Sequence, residues 1–317
     1  MKALKTISRK VVFPIAMSIR FDKLLQYTSG KSLLNVMYHG VTMNNTQFFS
    51  PRHVNVLDFE KEIAYYKKNF DVISVDKAFH RIKNNDSFKR KTITISFDDG
   101  FANNLSTALP ILEKYNVPVT FFVSSVCTEN DGSRVLWPEF VAALKYYSLI
   151  DTTIGETLGD RIKAMPYKER DMFLDNMEKE HNVMEKIHAL PEETWRLLDK
   201  TQLMELSKSK IVTIGSHGHN HYNLGQIEPE FAKMEMEHSK ALLETAIQKE
   251  VKYIAYPDGS YNESVKDMAE KAGYVGQMAV KYKLQGDKTD RRILDRFGIS
   301  ATTTFESNML FLNKSFK

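Results

Sequence analysis

Two adjacent carboxylates, Asp98 and Asp99, stand directly after the β-branched run TITISF at residues 92–97. At the carboxyl end of a strand, one carboxylate can bind a metal ion while its neighbour, turned differently by the backbone, stays free as a base. Gly100 follows and allows the chain to turn sharply. The same residues also fit a solvated turn or a helix N-cap, so alone they are only a weak signal of chemistry.

A histidine cluster follows a second predicted strand. The segment IGSHGHNHYNLG at residues 214–225 places His217, His219 and His221 within one turn. If that turn is helical, the four-residue spacing of His217 and His221 brings both imidazoles to one face. Two neutral imidazoles and one carboxylate suit zinc or a similar divalent ion and leave positions open for water and substrate, as in catalytic metal sites. We expect His219 either to support this set or to be exposed.

Two further strand ends carry polar residues. His39 ends the strand in NVMYHGV, where a barrel would bring it to the same rim, although a lone histidine is usually structural. Tyr256, Pro257 and Asp258 in IAYPDGSYN form a turn whose backbone N–H groups could face a developing oxyanion, and the same triplet is also an ordinary turn sequence. We expect the remaining histidines to lie on the surface: His53, His80, His181, His188 and His238.

Alternating strands and helices must position these candidates. Short apolar or β-branched runs predict strands at residues 32–39, 70–75, 92–97, 117–124, 210–217, 252–257, 274–280 and 292–300. Three-to-four spacing of apolar residues predicts helices at residues 57–70, 105–116, 229–248 and 261–273. Repeated strand–helix units predict an α/β fold, with about seven to eight mostly parallel strands in a closed or nearly closed barrel.

Two segments depart from this alternation. Residues 129–209 contain helical patterns and no strand pattern, and we interpret them as a helical insertion that shapes a substrate groove, forms a partner surface or is a solvated excursion. Residues 1–30 predict an N-terminal helical segment with a basic start and a short apolar run. This segment either caps the barrel of residues 31–317 or lies on a membrane surface as a peripheral helix. The run is too short to span a bilayer and lacks a convincing signal-peptide cleavage site.

The composition limits the class of function. The chain has 317 residues, 42% of them hydrophobic, and a net charge of +4 that comes from interleaved basic and acidic residues. We therefore expect no nucleic-acid partner. Cys127 is the only cysteine, which excludes an intrachain disulfide and a metal site built from several thiolates. Because no export signal is evident, we expect a cytoplasmic protein, either free or membrane-associated. The sequence does not indicate an oligomeric state.

Three motifs, in this order, resemble those of the polysaccharide deacetylase family, whose domain is also called the NodB homology domain and is similar to carbohydrate esterase family 4. SFDDG resembles the first motif, SHGHNH the second and YPDG a weaker relative of the third, within a likeness that extends from NVMYHGV to DRFGIS. The resemblance implies a distorted (β/α) barrel and metal-dependent removal of N- or O-acetyl groups from carbohydrate. By position it implies that Asp98 is the base and that Asp99, His217 and His221 bind a divalent metal. Zinc is the first expectation, with cobalt, nickel, manganese or iron as alternatives.

Two positions depart from the family's pattern. The arginine that opens the usual third motif and orients the base is replaced by Ala255, and Arg296 in LDRFGIS is our candidate to take its place. The histidine of the usual C-terminal motif, which supplies the general acid, has no counterpart after His238. In the branch of the family that opens with an MYH-like strand, an N-terminal histidine has this function. The resemblance therefore assigns the general acid to His39.

The resulting hypothesis is a hydrolase of carbon–nitrogen bonds that deacetylates a carbohydrate in surface polysaccharide biosynthesis, with Tyr256, Pro257 and Asp258 binding the substrate or its oxyanion. One alternative is a sugar-binding or inactive relative with the same barrel. Another is an amidohydrolase that acts on a small non-carbohydrate amide. A non-haem iron oxygenase also uses two histidines and a carboxylate, but the usual histidine and acid two residues apart are absent from this cluster.

Overall fold

The strands form one large sheet and one small pair. The computed structural model describes residues 12–27, 32–44, 49–129, 131–150 and 158–316. The strands are β1 (Leu33–Tyr38), β2 (Gly40–Thr42), β3 (His53–Asn55), β4 (Asp71–Val72), β5 (Thr92–Phe97), β6 (Val119–Val123), β7 (Val212–Ser216), β8 (Tyr253–Ala255), β9 (Gly276–Met278), β10 (Ile293–Leu294) and β11 (Phe297–Gly298). β2 pairs with β3, and the other strands belong to the large sheet.

The large sheet is parallel throughout and returns on itself. Its strand order is β10-β9-β8-β7-β6-β5-β1-β11, with β4 paired to β5 beside this path. The predicted strand at residues 292–300 is divided: β10 pairs with β9, and β11 pairs with β1. Only Asp295 and Arg296 separate the two halves. One short segment thus joins both ends of the sheet, and the predicted distorted barrel of mostly parallel strands is confirmed.

The central strands are buried along their whole length. All six residues of β5 and all five of β6 are buried, as expected for parallel strands covered on both faces. Alternate side chains of both strands, from Ile93 to Phe97 and from Val119 to Val123, belong to the main hydrophobic core, where Tyr38 stacks on Phe97 with ring centroids 5.2 Å apart. This close packing fixes the ends of β1 and β5, from which the candidate residues extend.

Helices cover the sheet and fill the connections. They are α1 (Phe13–Ser18), α2 (Phe21–Tyr27), α3 (Val56–Asn69), α4 (Val75–Lys83), α5 (Leu109–Lys114), α6 (Trp137–Tyr146), α7 (Leu158–Ala164), α8 (Tyr167–His181), α9 (Val183–His188), α10 (Lys200–Leu206), α11 (Pro229–Ile247), α12 (Glu263–Lys271) and α13 (Phe305–Ser315). The four predicted helices are present as α3, α5 with a preceding π-helical turn, α11 and α12. No helix among the described residues is both long enough and apolar enough to cross a bilayer.

The predicted insertion at residues 129–209 has a hydrophobic cluster of its own. Trp137, Phe140, Leu144 and Trp195 pack together there, separately from the main core. The end of this segment behaves differently, because α10 packs its leucines into the main core directly before β7. α10 therefore occupies the place of the crossover helix of a strand–helix–strand unit. The division of the chain into residues 1–30 and 31–317 stays a prediction.

The small β2–β3 pair is absent from the sequence prediction, and it buries a histidine. Gly40 of β2 lies opposite His53 of β3, and a side chain at Gly40 would overlap the imidazole. Nδ1 of His53 accepts a hydrogen bond from Asn103 (3.0 Å), and burial lowers the pKa of His53 to about 3. The expectation that His53 lies on the surface is wrong, because three-residue strands leave too little periodicity to recognise.

A buried carboxyl group lies beside the end of β1. Glu62 of α3 accepts hydrogen bonds from Tyr38 (2.7 Å) and Asn308 (3.1 Å), and Tyr38 also bonds to Tyr66 (2.8 Å). Burial raises the pKa of Glu62 from 4.5 to about 7, despite the opposing hydrogen bonds. The folded protein therefore binds a proton at Glu62 more tightly than the unfolded chain does.

We predict that Glu62 makes the protein less stable as the pH rises from 4.5 to about 7, because the carboxylate ionises more readily in the unfolded chain. This component is on the order of 3 kcal/mol in the free energy of unfolding. The variant Glu62→Gln should lack it, so its stability relative to wild type should rise across this interval. Urea unfolding of both proteins as a function of pH measures the difference, and parallel pH profiles would contradict the prediction.

Candidate active site

The two carboxylates after β5 are turned apart by an unusual backbone. The N–H of Gly100 donates to the carbonyl of Asp98 (3.0 Å), which closes a three-residue turn around Asp99. Asp99 has φ +76° and Gly100 has φ +88°, both in the left-handed region. At the end of β6, the N–H of Ser124 donates a hydrogen bond to the carbonyl of Asp99 (3.2 Å). Such strained positions are retained where the surrounding structure fixes them, and here they direct two adjacent side chains to different partners.

The histidine segment after β7 converges without a helix. His217 N–H donates to the carbonyl of Val123 at the end of β6 (2.9 Å), and Ser125 N–H donates to the carbonyl of Gly218 (3.0 Å). Gly218 has φ +73° and His221 has φ +59°, which fold the loop back on itself. The four-residue spacing therefore brings His217 and His221 together through left-handed turns, and the helical turn considered from the sequence is not formed.

Asp99, His217 and His221 meet at one buried point. Oδ1 of Asp99 lies 3.4 Å from Nε2 of His217 and 3.2 Å from Nε2 of His221. Nδ1 of His217 must donate its proton to the carbonyl of Ala255 (2.8 Å), which leaves a lone pair on Nε2 in the neutral ring. A lone pair and a carboxylate oxygen that face each other in a buried site need a positive charge between them.

This arrangement fits a divalent cation. A tetrahedral ion with bonds of about 2.0–2.1 Å holds its ligand atoms about 3.3 Å apart, which is close to the separations seen here. Oδ1 of Asp99 is buried and receives no hydrogen bond from the described residues. Burial disfavours its ionised form, but hydrogen bonds from His217 and His221, formed when their facing nitrogens carry a proton in place of an ion, outweigh burial and hold the pKa of Asp99 well below its usual value. These residues would hold the ion, and their geometry suits zinc without excluding its chemical neighbours.

Asp98 lies beside this cluster and is held by Arg296. The guanidinium donates two parallel hydrogen bonds, from Nη1 to Oδ1 (2.6 Å) and from Nη2 to Oδ2 (2.8 Å), and Nε donates to the carbonyl of Ala279 (3.2 Å). Burial alone would raise the pKa of Asp98, but the Arg296 charge outweighs it and lowers the pKa. Oδ2 of Asp98 is also 3.9 Å from Nε2 of His217. An ionised, oriented carboxylate thus faces the candidate cation site.

An open cavity of about 650 Å³ leads to these groups. His39, Asp98, His217, His221 and Asp258 all line it. Burial lowers the pKa of the His39 imidazole, although the Asp99 and Asp98 carboxylates oppose this effect. The strand ends therefore gather the candidate residues around a space of the size that small-molecule sites usually have.

The turn after β8 contributes only in part. Asp258, at φ +52°, faces the cavity, whereas Tyr256 and Pro257 are absent from its lining. Tyr256 is fully buried, donates to Gln277 (2.8 Å) and stacks on Tyr261 with ring centroids 5.2 Å apart. The structure thus places the Tyr256 side chain in the core, and of this turn only Asp258 is positioned to reach a substrate.

Comparisons with known proteins identify the family to which the chain belongs. The sequence model of the family described as polysaccharide deacetylase matches residues 85–276, more than half of the chain. This chain belongs to the polysaccharide deacetylase family. The protein YxkH of Bacillus subtilis (strain 168), which is named after the same family, is 24% identical over 246 residues that cover 77% of this chain and 62% of YxkH. The chain therefore spans about three fifths of the length of this curated relative.

Solved structures show the same fold. The Streptococcus pyogenes deacetylase PplD, in complex with acetate, has a TM-score of 0.60 and 19% identity, and the match covers 90% of this chain and 98% of PplD. A de-N-acetylase from Aggregatibacter actinomycetemcomitans has a TM-score of 0.61 and 17% identity, covering 90% of this chain and 99% of the other. At these identities the likeness extends to the barrel and carries no residue roles.

Sequence reasoning missed several groups around the site of this polysaccharide deacetylase family member. Nη1 of Arg52 lies 3.4 Å from Oδ2 of Asp99, and Nη2 of Arg52 contacts the buried carboxylate of Glu139 in α6. Lys163 in α7 pairs with Asp258 (2.5 Å), and Trp137 donates to the carbonyl of His221 (3.1 Å). Arg52 precedes the short strand β3, and Trp137, Glu139 and Lys163 lie in the insertion. None of the four lies in a motif, so only the folded structure reveals them.

We predict that Arg52 neutralises Glu139 and Asp99 in the metal-free protein. The variant Arg52→Met should lower the free energy of unfolding by about 3 kcal/mol, because it leaves a buried carboxylate without a partner. The double variant Arg52→Met/Glu139→Gln should recover most of this loss. Urea unfolding of chelator-treated proteins measures both effects. Equal stability of Arg52→Met and wild type would show that the pairing contributes nothing.

Proposed function

We propose that this chain is a metal-dependent deacetylase that hydrolyses an N-acetyl or O-acetyl group on a carbohydrate. The observation that carries the proposal is the meeting of Asp99, His217 and His221 at one buried point beside an open cavity, which His217, His221 and the separate carboxylate of Asp98 line. Membership of a family of polysaccharide deacetylases supports the reaction class. A divalent cation at this cluster would supply Lewis acidity, lowering the pKa of a coordinated water and polarising an acetyl carbonyl.

Asp98 is the proposed general base. Its ionised carboxylate faces the cavity and can take a proton from a water molecule that attacks the acetyl carbon. The bidentate contact with Arg296 restricts rotation of the carboxylate and keeps it ionised. Arg296 therefore acts on the reaction by positioning Asp98, which is the task of the arginine missing from the third motif.

His39 is the proposed general acid. It lines the cavity together with Asp98 and the two candidate ligand histidines. An amine leaves poorly unless it is protonated, so an imidazolium at this position can deliver a proton as the C–N bond breaks. The backbone amide of Asp258 is the proposed donor to the tetrahedral oxyanion, and Lys163 holds the Asp258 side chain in place.

The cavity wall supports a sugar as the substrate. Phe49, Trp137 and Tyr146 present aromatic surface to the cavity, and Lys145 and Lys163 add polar donors. Aromatic rings pack against the apolar faces of sugar rings, while hydroxyl groups need donors and acceptors at the rim. A small non-carbohydrate amide would use the same catalytic groups but would leave this aromatic surface without a partner.

An inactive or sugar-binding relative is the second candidate, and it was suggested by the departure at Ala255. The contact of Arg296 with Asp98 weakens that reason, because an arginine reaches the base from another strand. A role in surface polysaccharide biosynthesis and a cytoplasmic location stay predictions.

Association with a membrane surface also stays a prediction. It is supported by Ile15, Ile19 and Leu24 in and between helices α1 and α2, which are 54–70% exposed. The basic start of the chain, at residues 1–11, lies outside the described residues. Its charge would suit anionic lipid headgroups.

We predict that Asp98→Asn lowers kcat by about 10²–10⁴-fold, because the amide cannot accept the proton of the attacking water. The variant should still bind metal, whereas His217→Ala should lose it. Acetate release from acetylated chito-oligosaccharides, assayed after loading with zinc, cobalt or nickel, measures turnover, and elemental analysis measures bound metal. Asp86→Asn, an exposed aspartate, is the matched control. Near wild-type turnover by Asp98→Asn would refute the assignment.

We predict that His39→Gln slows hydrolysis of an amide much more than hydrolysis of an activated aryl acetate. A phenolate leaves without a proton, whereas an amine requires one, so the amide rate should fall by about 10²–10⁴-fold and the ester rate far less. Parallel assays of the two substrates with the variant and with His80→Gln, an exposed histidine, measure the split. An equal loss on both substrates would assign His39 to binding or structure and not to proton transfer.

A further inference from the structure

A second group of ligand-type side chains lies outside the cavity. Glu129 ends the 3₁₀ turn at Ser125–Glu129 after β6, His219 lies in the loop between the two candidate ligand histidines, and His238 lies in α11. None of the three lines the cavity. Three separate elements thus bring one carboxylate and two imidazoles to the same place.

The separations in this group resemble those of the candidate catalytic cluster. Oε2 of Glu129 lies 3.3 Å from Nε2 of His219, and Oε1 lies 3.6 Å from Nε2 of His238. All three potential ligand atoms lie within 4.8 Å of one another, as they do for Asp99, His217 and His221. An ion with bonds of about 2.0–2.1 Å requires ligand atoms about 3.3 Å apart, so small side-chain movements would complete the geometry.

His219 is held in the orientation that a ligand needs. Its Nδ1 lies 2.9 Å from the hydroxyl of Ser125, which directs Nε2 towards Glu129. Glu235 accepts the backbone N–H groups of His219 (3.1 Å) and Asn220 (2.8 Å). Hydrogen bonds to the second ring nitrogen and to the adjacent backbone fix the ring before any ion binds, as around other metal-binding histidines.

The position is open to solvent on one side. The side chains of Glu129 and His238 are 46% and 51% exposed, whereas that of His219 is 12% exposed. An ion can therefore enter directly, and water can complete its coordination. The plain alternative is a surface carboxylate paired with one or two protonated imidazoles, which needs no ion.

We propose that Glu129, His219 and His238 bind a second divalent cation of the zinc class. Bound there, the ion ties the end of β6 and helix α11 to the loop that carries His217 and His221. It is a structural site, distinct from the candidate catalytic cluster, and it does not depend on the proposed deacetylation. It adds stability to that loop, whose conformation is already held by the backbone hydrogen bonds to Ser125 and Glu235.

The test is metal stoichiometry of the full chain. Chelator-treated protein is equilibrated with Co²⁺ or Zn²⁺, and bound metal is measured by elemental analysis and, for cobalt, by its visible absorption. We expect two ions per chain for wild type and one for His238→Ala and for Glu129→Gln, with the second site weakened at least about tenfold and acetate release retained. His217→Ala should also lose one ion, but together with activity. His80→Ala, which removes an exposed histidine from α4, should keep both ions.

The outcomes separate the possibilities. A single ion per wild-type chain, or two ions in His238→Ala, would overturn the second site while leaving the results for Asp98 untouched. Two exposed ligand positions are used so that the substitutions leave the buried core unchanged, and far-ultraviolet circular dichroism checks that both variants are folded. If His238→Ala and Glu129→Gln each bind one ion per chain and His80→Ala binds two, then Glu129, His219 and His238 form a metal site.

Discussion

The candidate site is organised around the close approach of a carboxylate oxygen at the end of β5 and imidazole nitrogens after β7. In the neutral ring of His217, the hydrogen bond from Nδ1 to the Ala255 carbonyl leaves a lone pair on Nε2, and that nitrogen faces Asp99 within a buried space. Such an arrangement is unfavourable unless positive charge is present. The parallel sheet makes it possible, because strand ends that are far apart in sequence meet at one rim and packing holds them there.

Neutralising charge comes from several directions. Arg296, which lies between β10 and β11, binds Asp98. Arg52 lies directly before β3 and contacts both Asp99 and Glu139. The two neighbouring carboxylates thus have separate cationic partners, which is how adjacent acids can both stay ionised in a buried site. Arg296 binds both oxygens of Asp98, and the backbone turn directs the side chain of Asp99 elsewhere. The backbone and the neighbouring side chains therefore both give the two aspartates different partners.

Much of this arrangement could be predicted from the sequence, since long β-branched runs and their terminal polar residues are local signals. The strand at β5, the helix α11 and the meeting of Asp99, His217 and His221 belong to this class. The rest depends on distant contacts. The burial of His53, the core position of Tyr256 and the approach of Arg52 and Lys163 arise from short strands and from the folded insertion, where neither periodicity nor motif spacing carries information.

Arg296 lies at the point where one extended segment changes its partner strand from β9 to β1. Closure of the barrel and orientation of the Asp98 carboxylate therefore depend on a single residue. The length of the chain between Leu294 and Phe297 is consequently fixed by geometry, because an added or deleted residue would rotate the guanidinium to the opposite face. The helical segment between β6 and β7 lies outside this joint and can change in length without moving Arg296, whereas the four residues from Leu294 to Phe297 cannot.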